Sequence, residues 1–154
     1  MKKKLLTAGM VIMLGIAAAG CGGSGKDVDV NGLSEALHSQ ITYKDELAPI
    51  DLDTAKMFYS FSDADISEAV FYESSGATAE EIAVIKCGSK EGADKIEAAL
   101  NTRVEEQKEA YTDYVPAELE KLNAAVVVKS GNTAVLSVSD DPDKAREIIG
   151  TFTK

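Results

Sequence analysis

The apolar positions of this chain change period several times, and each change marks an element. Leu33, Ala36, Leu37 and Ile41 recur at spacings near three and four, which predicts a short helix over residues 33–41. A second short helix is predicted over about 53–58, with Ala55, Met57 and Phe58 as its apolar residues. Residues 66–72 are rich in β-branched and aromatic side chains and predict a strand. Ser74-Ser75-Gly76 is turn chemistry, and a second strand follows over about 81–87. Ser89 is placed to cap the longest helix, whose positions Ala93, Ile96, Leu100, Val104, Tyr111 and Tyr114 follow one face of a 3.6-residue period. Pro116 biases Val115 out of helical geometry and ends that helix nearby. Residues 118–122 add a turn or two. A second hairpin is predicted from 125–129 and 133–139 about Ser130-Gly131-Asn132. Asp141-Pro142 then opens a last helix carrying Ala145, Ile148, Ile149 and Phe152.

Two hairpins, each followed by a helix, predict an α+β fold. Its core is a mainly antiparallel four-stranded sheet in ββα-ββα order, with helices packed on one face and short N-terminal helices before it.

The first residues follow a different logic. Met1-Lys2-Lys3-Lys4 precedes an apolar or small-residue stretch that runs to Gly20, the layout of a secretory signal. That stretch is shorter than the roughly 20 residues that cross a bilayer comfortably. Ala18-Ala19-Gly20-Cys21 resembles the lipobox of bacterial lipoproteins, with alanine in place of the usual branched or leucine side chain three positions before the cysteine. The resemblance implies a diacylglyceryl group on Cys21, and two acyl chains anchor a protein stably where one does not. Gly22-Gly23-Ser24-Gly25 behaves as flexible coil. The expected organisation is therefore a signal peptide over 1–20, a lipidated cysteine and tether over 21–32, and a single domain over 33–154. The expected location is the outer face of the cytoplasmic membrane.

Charge narrows the partners. The net charge of the chain is −10, and removing residues 1–20 takes away three lysines and no acid. Without a basic patch, such a surface repels phosphate backbones, so nucleic acid is excluded as a partner. It also disfavours lying flat on an anionic leaflet. The expected contacts are the membrane, through the lipid on Cys21, and an envelope protein. Lipidation of Cys21 leaves Cys87 without an intramolecular partner, and Cys87 reads as a small buried hydrophobe at the end of an apolar run.

Little in the chain carries recognisable chemistry. Asp27-Val28-Asp29-Val30-Asn31-Gly32 copies the first half of a calcium loop, but the twelfth position is His38 and no helix leads in. A polar linker, in which Asn31 or a neighbour caps the first helix, is the better reading. His38 is the only histidine and reads as a surface residue. Asp140, Asp141 and Asp143 are explained first by helix capping and the helix dipole. No phosphate-binding or dinucleotide motif is present, and neither a cofactor nor a metal is expected.

The stretch 58–152 resembles the domain-of-unknown-function family DUF4358 of small lipoproteins from clostridial and related Gram-positive bacteria. The resemblance rests on Ala69-Val70-Phe71-Tyr72, the run from Gly76 to Lys86, Arg103 to Lys108, Tyr114-Val115-Pro116, and Asn132 to Ser139. It implies a lipoprotein and domain limits, and no catalytic roles. The polar residues within or beside these motifs, Glu81, Lys86, Arg103, Gln107, Tyr111 and Tyr114, form the candidate binding surface. Packing the long helix over the second strand would let Glu81 or Lys86 pair with Arg103. A structural ion pair fixing helix to sheet is the plainer reading of that set, and a small polar pocket or docking face is the functional one. Two functions stay open: a non-catalytic binding or interaction module of the envelope, or a small envelope enzyme or ligand-binding protein using a Glu/Arg/Tyr pocket.

Overall fold

A computed structural model describes residues 27–61 and 65–154. The expected signal, Cys21 and the Gly/Ser run lie outside the described residues.

Helix α1 spans Val30–Gln40, and the Asp29 carboxylate caps it by accepting the Gly32 amide at 2.9 Å. The domain thus begins earlier than 33. Val28 and Val30 are buried while Asp27, Asp29 and Asn31 face outward, so the tether expected to run to 32 is already part of the fold by Val28. Strand β1 (Ala48–Ile50) follows, then α2 (Leu52–Ala55), which Asp51 caps. Strands β2 (Ile66–Glu73) and β3 (Glu81–Cys87) lie where the β-branched runs predict them. Helix α3 (Lys90–Thr112) starts at the Ser89 cap. A 3-10 turn at Pro116–Glu118 leads into α4 (Leu119–Asn123). Strands β4 (Val126–Ser130) and β5 (Thr133–Val138) form the second hairpin, and α5 (Pro142–Thr153) starts at Asp141.

The sheet order is β1-β2-β3-β5-β4, with every neighbouring pair antiparallel. It has five strands where four are predicted. The additional one, β1, is three residues long and contains Pro49, so it shows no alternation in sequence. A proline is tolerated there because β1 is an edge strand.

The helices also cover both faces of the sheet, not one. On one face Ala83, Ile85 and Cys87 of β3 pack with Ile96, Leu100 and Val104 of α3 and Leu122 of α4. On the other, Ile82 and Val84 pack with Leu33 and Leu37 of α1 and Ile148 and Ile149 of α5. The physical reason is visible in β3 itself: its side chains from Ile82 to Ile85 are apolar at both parities, so both faces need cover. β5 is buried along its whole length for the same reason.

Candidate functional site

The β2–β3 hairpin sets two acids directly opposite each other, Glu73 at the end of one strand and Glu81 at the start of the next. Like charges in that position repel. Arg103, from the middle of α3, supplies the cation between them. Its Nε and Nη2 both donate to Glu81 Oε2, at 3.1 and 3.0 Å, while Nη2 reaches Glu73 Oε2 only at 3.5 Å. Tyr59, just past α2, donates its hydroxyl hydrogen to Glu73 Oε1 at 2.8 Å and lies 3.3 Å from Glu81 Oε2. The guanidinium also stands over the Phe58 and Tyr59 rings, 5.7 and 5.2 Å from their centroids.

One guanidinium therefore serves two buried carboxyls. Burial and the neighbouring Glu81 charge push the Glu73 carboxyl up to about 8, more than Arg103 and the Tyr59 hydroxyl offset. Glu73 is thus neutral near pH 7. Burial and the two glutamates hold the Tyr59 hydroxyl well above its ordinary range. For Arg103 burial works toward a lower value, but Glu81 and Glu73 outweigh it and keep the guanidinium charged. Glu81 Oε1 is buried and has no hydrogen-bond partner among the described residues.

Above this group opens a cleft of about 310 Å³ lined by Phe58, Glu73, the Ser74–Gly76 turn, Arg103, Gln107 and Tyr111. Its rim is held in place. The Tyr111 hydroxyl sits 2.5 Å from Thr78 O and 3.0 Å from Gly76 O, pinning the hairpin loop to α3. The Ser75 amide and hydroxyl donate to Asp45 Oδ2 at 2.8 and 2.5 Å. Gly76 turns the loop with φ of 92°, a value that favours glycine.

Of the six candidate residues, the structure brings four together. Glu81, Arg103, Gln107 and Tyr111 all belong to the cleft or its floor. Tyr114 is 68 % exposed, with its ring 5.9 Å from that of Tyr111, at the margin. Lys86 does not join them. One residue before Cys87, its side chain lies on the α1 side of the sheet and pairs with Asp27. Glu81, not Lys86, is the partner of Arg103, because β3 alternates and only its odd-numbered residues face α3.

Phe58, Tyr59 and Glu73 complete the site and are not singled out by sequence reasoning. The one available signal is the hairpin's symmetry, since Glu73 and Glu81 are equidistant from Ala77. The other residues weighed for chemistry have structural partners. His38 stacks on Tyr72 with centroids 4.3 Å apart, and Asp140 pairs with Lys44 at 3.1 Å. Asp141 caps α5. Burial, with the Asp65 charge, raises the Cys87 thiol. Among the described residues no three His, Cys, Asp or Glu side chains are grouped to hold a metal.

Glu80, adjacent in sequence, enters a separate buried network. Its carboxylate accepts the Lys44 and Asp45 amides at 3.0–3.1 Å, the Thr78 hydroxyl at 3.1 Å, and the Lys121 ammonium at 3.0 Å. Lys121 also pairs with Glu118 at 3.0 Å, and Glu118 accepts the Ala79 amide. The run Gly76 to Glu81 is therefore a sequence of separate structural tasks: a turn, the Tyr111 anchor, the Ala79 amide on Glu118, the Glu80 carboxylate on Lys121, and the floor of the cleft.

The family model described as Domain of unknown function (DUF4358) matches residues 39–139, and the chain belongs to that family. No curated protein and no solved structure matches the chain. The matched segment holds all five strands, the cleft and both buried networks. It leaves out nearly all of α1 and the whole of α5, which pack together over the second face of the sheet.

Proposed function

We propose that this protein is a lipid-anchored module on the outer face of the cytoplasmic membrane that binds a small ligand, or the end of a chain, in the cleft above Arg103. The observation that carries the binding reading is the cleft itself. It is concave and has aromatic rings, an amide and a buried carboxyl–guanidinium group at its base, the composition of a ligand site. A structural ion pair would need no such opening. The anchor and address rest on the basic and apolar N-terminus followed by Ala18-Ala19-Gly20-Cys21. Binding is favoured over catalysis because the histidine and Cys87 are engaged elsewhere, stacked on Tyr72 and buried in the core.

The test is a thermal-shift screen of small polar and amphipathic compounds against the full chain, repeated with Phe58→Ala and Gln107→Ala. A hit whose shift is lost in both variants supports the reading. Hits indifferent to both, or photo-crosslinks in cells that join a protein partner to a surface away from the cleft, overturn it. Metabolic labelling with a fatty-acid analogue, compared with a Cys21→Ser control, checks the anchor.

A further inference from the structure

The chemistry of the cleft points to one class of ligand. Its floor holds two carboxyls and one guanidinium, so with both acids ionised it is one positive charge short. Nε and Nη2 make their short bonds to Glu81, and the contact with Glu73 is 3.5 Å. An anion reaching the rest of the guanidinium would stand beside both carboxyls and add to that imbalance. A cation meets the opposite situation. Glu73 lines the cleft and shares Arg103 with Glu81, which holds the guanidinium more closely.

The walls are aromatic and the acceptors few. Phe58 is 44 % exposed and lines the cleft together with the largely buried Tyr111, and the Gln107 amide stands one helical turn beyond Arg103. A metal ion of the calcium or magnesium type needs six or more oxygen ligands, which this lining does not gather. An organic ammonium needs one carboxylate and aromatic faces, which it does.

Resting on the ligand-binding reading above, we infer that the cleft takes an organic ammonium group, with its positive charge on Glu73 and its carbon substituents against Phe58 and Tyr111.

Binding then displaces a proton, because Glu73 is protonated at neutral pH and ionises to receive the cation. The groups that face Glu73 are Tyr59 after α2, Glu81 on β3 and Arg103 on α3. Its opposite number on β1 is Ala48, which carries no charge. Burial and the Glu81 charge displace Glu73 toward neutral pH, whereas Tyr59 and Arg103 are both held higher than usual. Affinity for a permanently charged ammonium accordingly rises about tenfold per pH unit and levels off above about 8.

Choline is the probe, since its charge does not titrate. The comparison compounds are its uncharged carbon isostere dimethylbutanol and the anion dimethylbutanoate. Calorimetry on the full chain in maltoside micelles, across neutral to mildly alkaline pH, measures affinity. Buffers of different ionisation enthalpy count the released proton. The expected result is saturable choline binding that strengthens with pH and releases one proton, while both comparison compounds bind at least tenfold more weakly. Glu73→Gln removes the pH dependence and the proton release. Phe58→Ala weakens binding severalfold without removing the pH dependence, and Lys86→Ala, on the other side of the sheet, changes nothing. If dimethylbutanol or dimethylbutanoate binds as well as choline and is lost with Phe58→Ala, the ammonium inference fails and the cleft remains a binding site. If choline binds with no pH dependence, or not at all, the inference also fails. Absence of any Phe58-sensitive ligand in the wider screen removes the binding reading with it.

Discussion

Glu80 and Glu81 are neighbours in the chain, yet they build two buried charge networks of opposite character. Each network sets two glutamates around one cation. Around Lys121 donors are plentiful: Glu80 accepts two backbone amides and a hydroxyl besides the ammonium, Glu118 accepts a third amide, and Asp140 stands 3.8 Å from the ammonium beside a small pocket that Lys121 also lines. Burial would raise the Glu80 carboxyl, but the Asp45 and Lys44 amides and Lys121 outweigh it and hold it below its ordinary value. Around Arg103 no backbone amide among the described residues donates to either acid. Glu73 remains neutral instead, Glu81 keeps one oxygen unpartnered, and the group opens to a cleft. The difference teaches that donors, not the count of opposite charges, decide whether a buried acid is a structural rivet or a group left ready to ionise.

The strongest test of that contrast is removal of the two cations. Lys121→Ala leaves Glu80 and Glu118 buried without their counter-ion and is expected to cost about 3–5 kcal/mol in urea denaturation. Arg103→Ala likewise strips the buried Glu81 of its partner and is expected to cost about 3 kcal/mol, the lower end of that range, because the neighbouring Glu73 is neutral. The reverse order would erase the distinction between the donor-rich and donor-poor networks.

The pH dependence sharpens it further. Glu73 has an ordinary value of 4.5 and about 8 in the fold, so between those limits the folded chain holds a proton that the unfolded chain has released. Its contribution to stability therefore falls as pH rises through that window, by up to about 1.4 kcal/mol per pH unit, and is constant above it. Glu73→Gln abolishes that slope. Glu80 has the opposite sign: its depressed value stabilises the fold above the ordinary carboxylate range, and that contribution is lost as acid protonates it. Urea midpoints measured from pH 4 to 9 in the wild type and in Glu73→Gln separate the two. A wild-type profile flat between 5 and 8 would contradict the state assigned to Glu73.

Two smaller effects complete the series. Tyr111→Phe removes the hydroxyl that holds Gly76 O and Thr78 O and is expected to cost about 1 kcal/mol, with faster amide exchange in the loop over 74–80. Lys86→Ala removes an ion pair whose Asp27 partner is largely exposed, and should change stability by less than about 0.5 kcal/mol.

Much of the fold was legible in the chain. Ser89, Asp141 and the β-branched runs marked elements that the structure places within a residue or two, because caps and periodicity are local. Within the site, the pairing of Glu81 with Arg103 was one of two options, and strand parity chose it. Lys86 lies away from the site because positions 81 and 86 have opposite parity and so opposite faces of the strand. Phe58 reads in sequence as an apolar residue of the second short helix, which in fact ends at Ala55; Tyr59 gives no periodic signal, and the cross-strand partner Glu73 is set by register.

The alternation of strands and helices, their caps and turns, the membership of the family and the net acidity were all present in the chain alone. These depend on interactions within a few residues or on composition. The tertiary structure alone decided that a three-residue edge strand completes the sheet, that helices cover both of its faces, and that α1 begins at Val30. It also decided which of two adjacent glutamates meets Lys121 and which meets Arg103. The reason is physical: each of these depends on contacts between residues tens of positions apart, whose energies exist only once register and packing have brought them together.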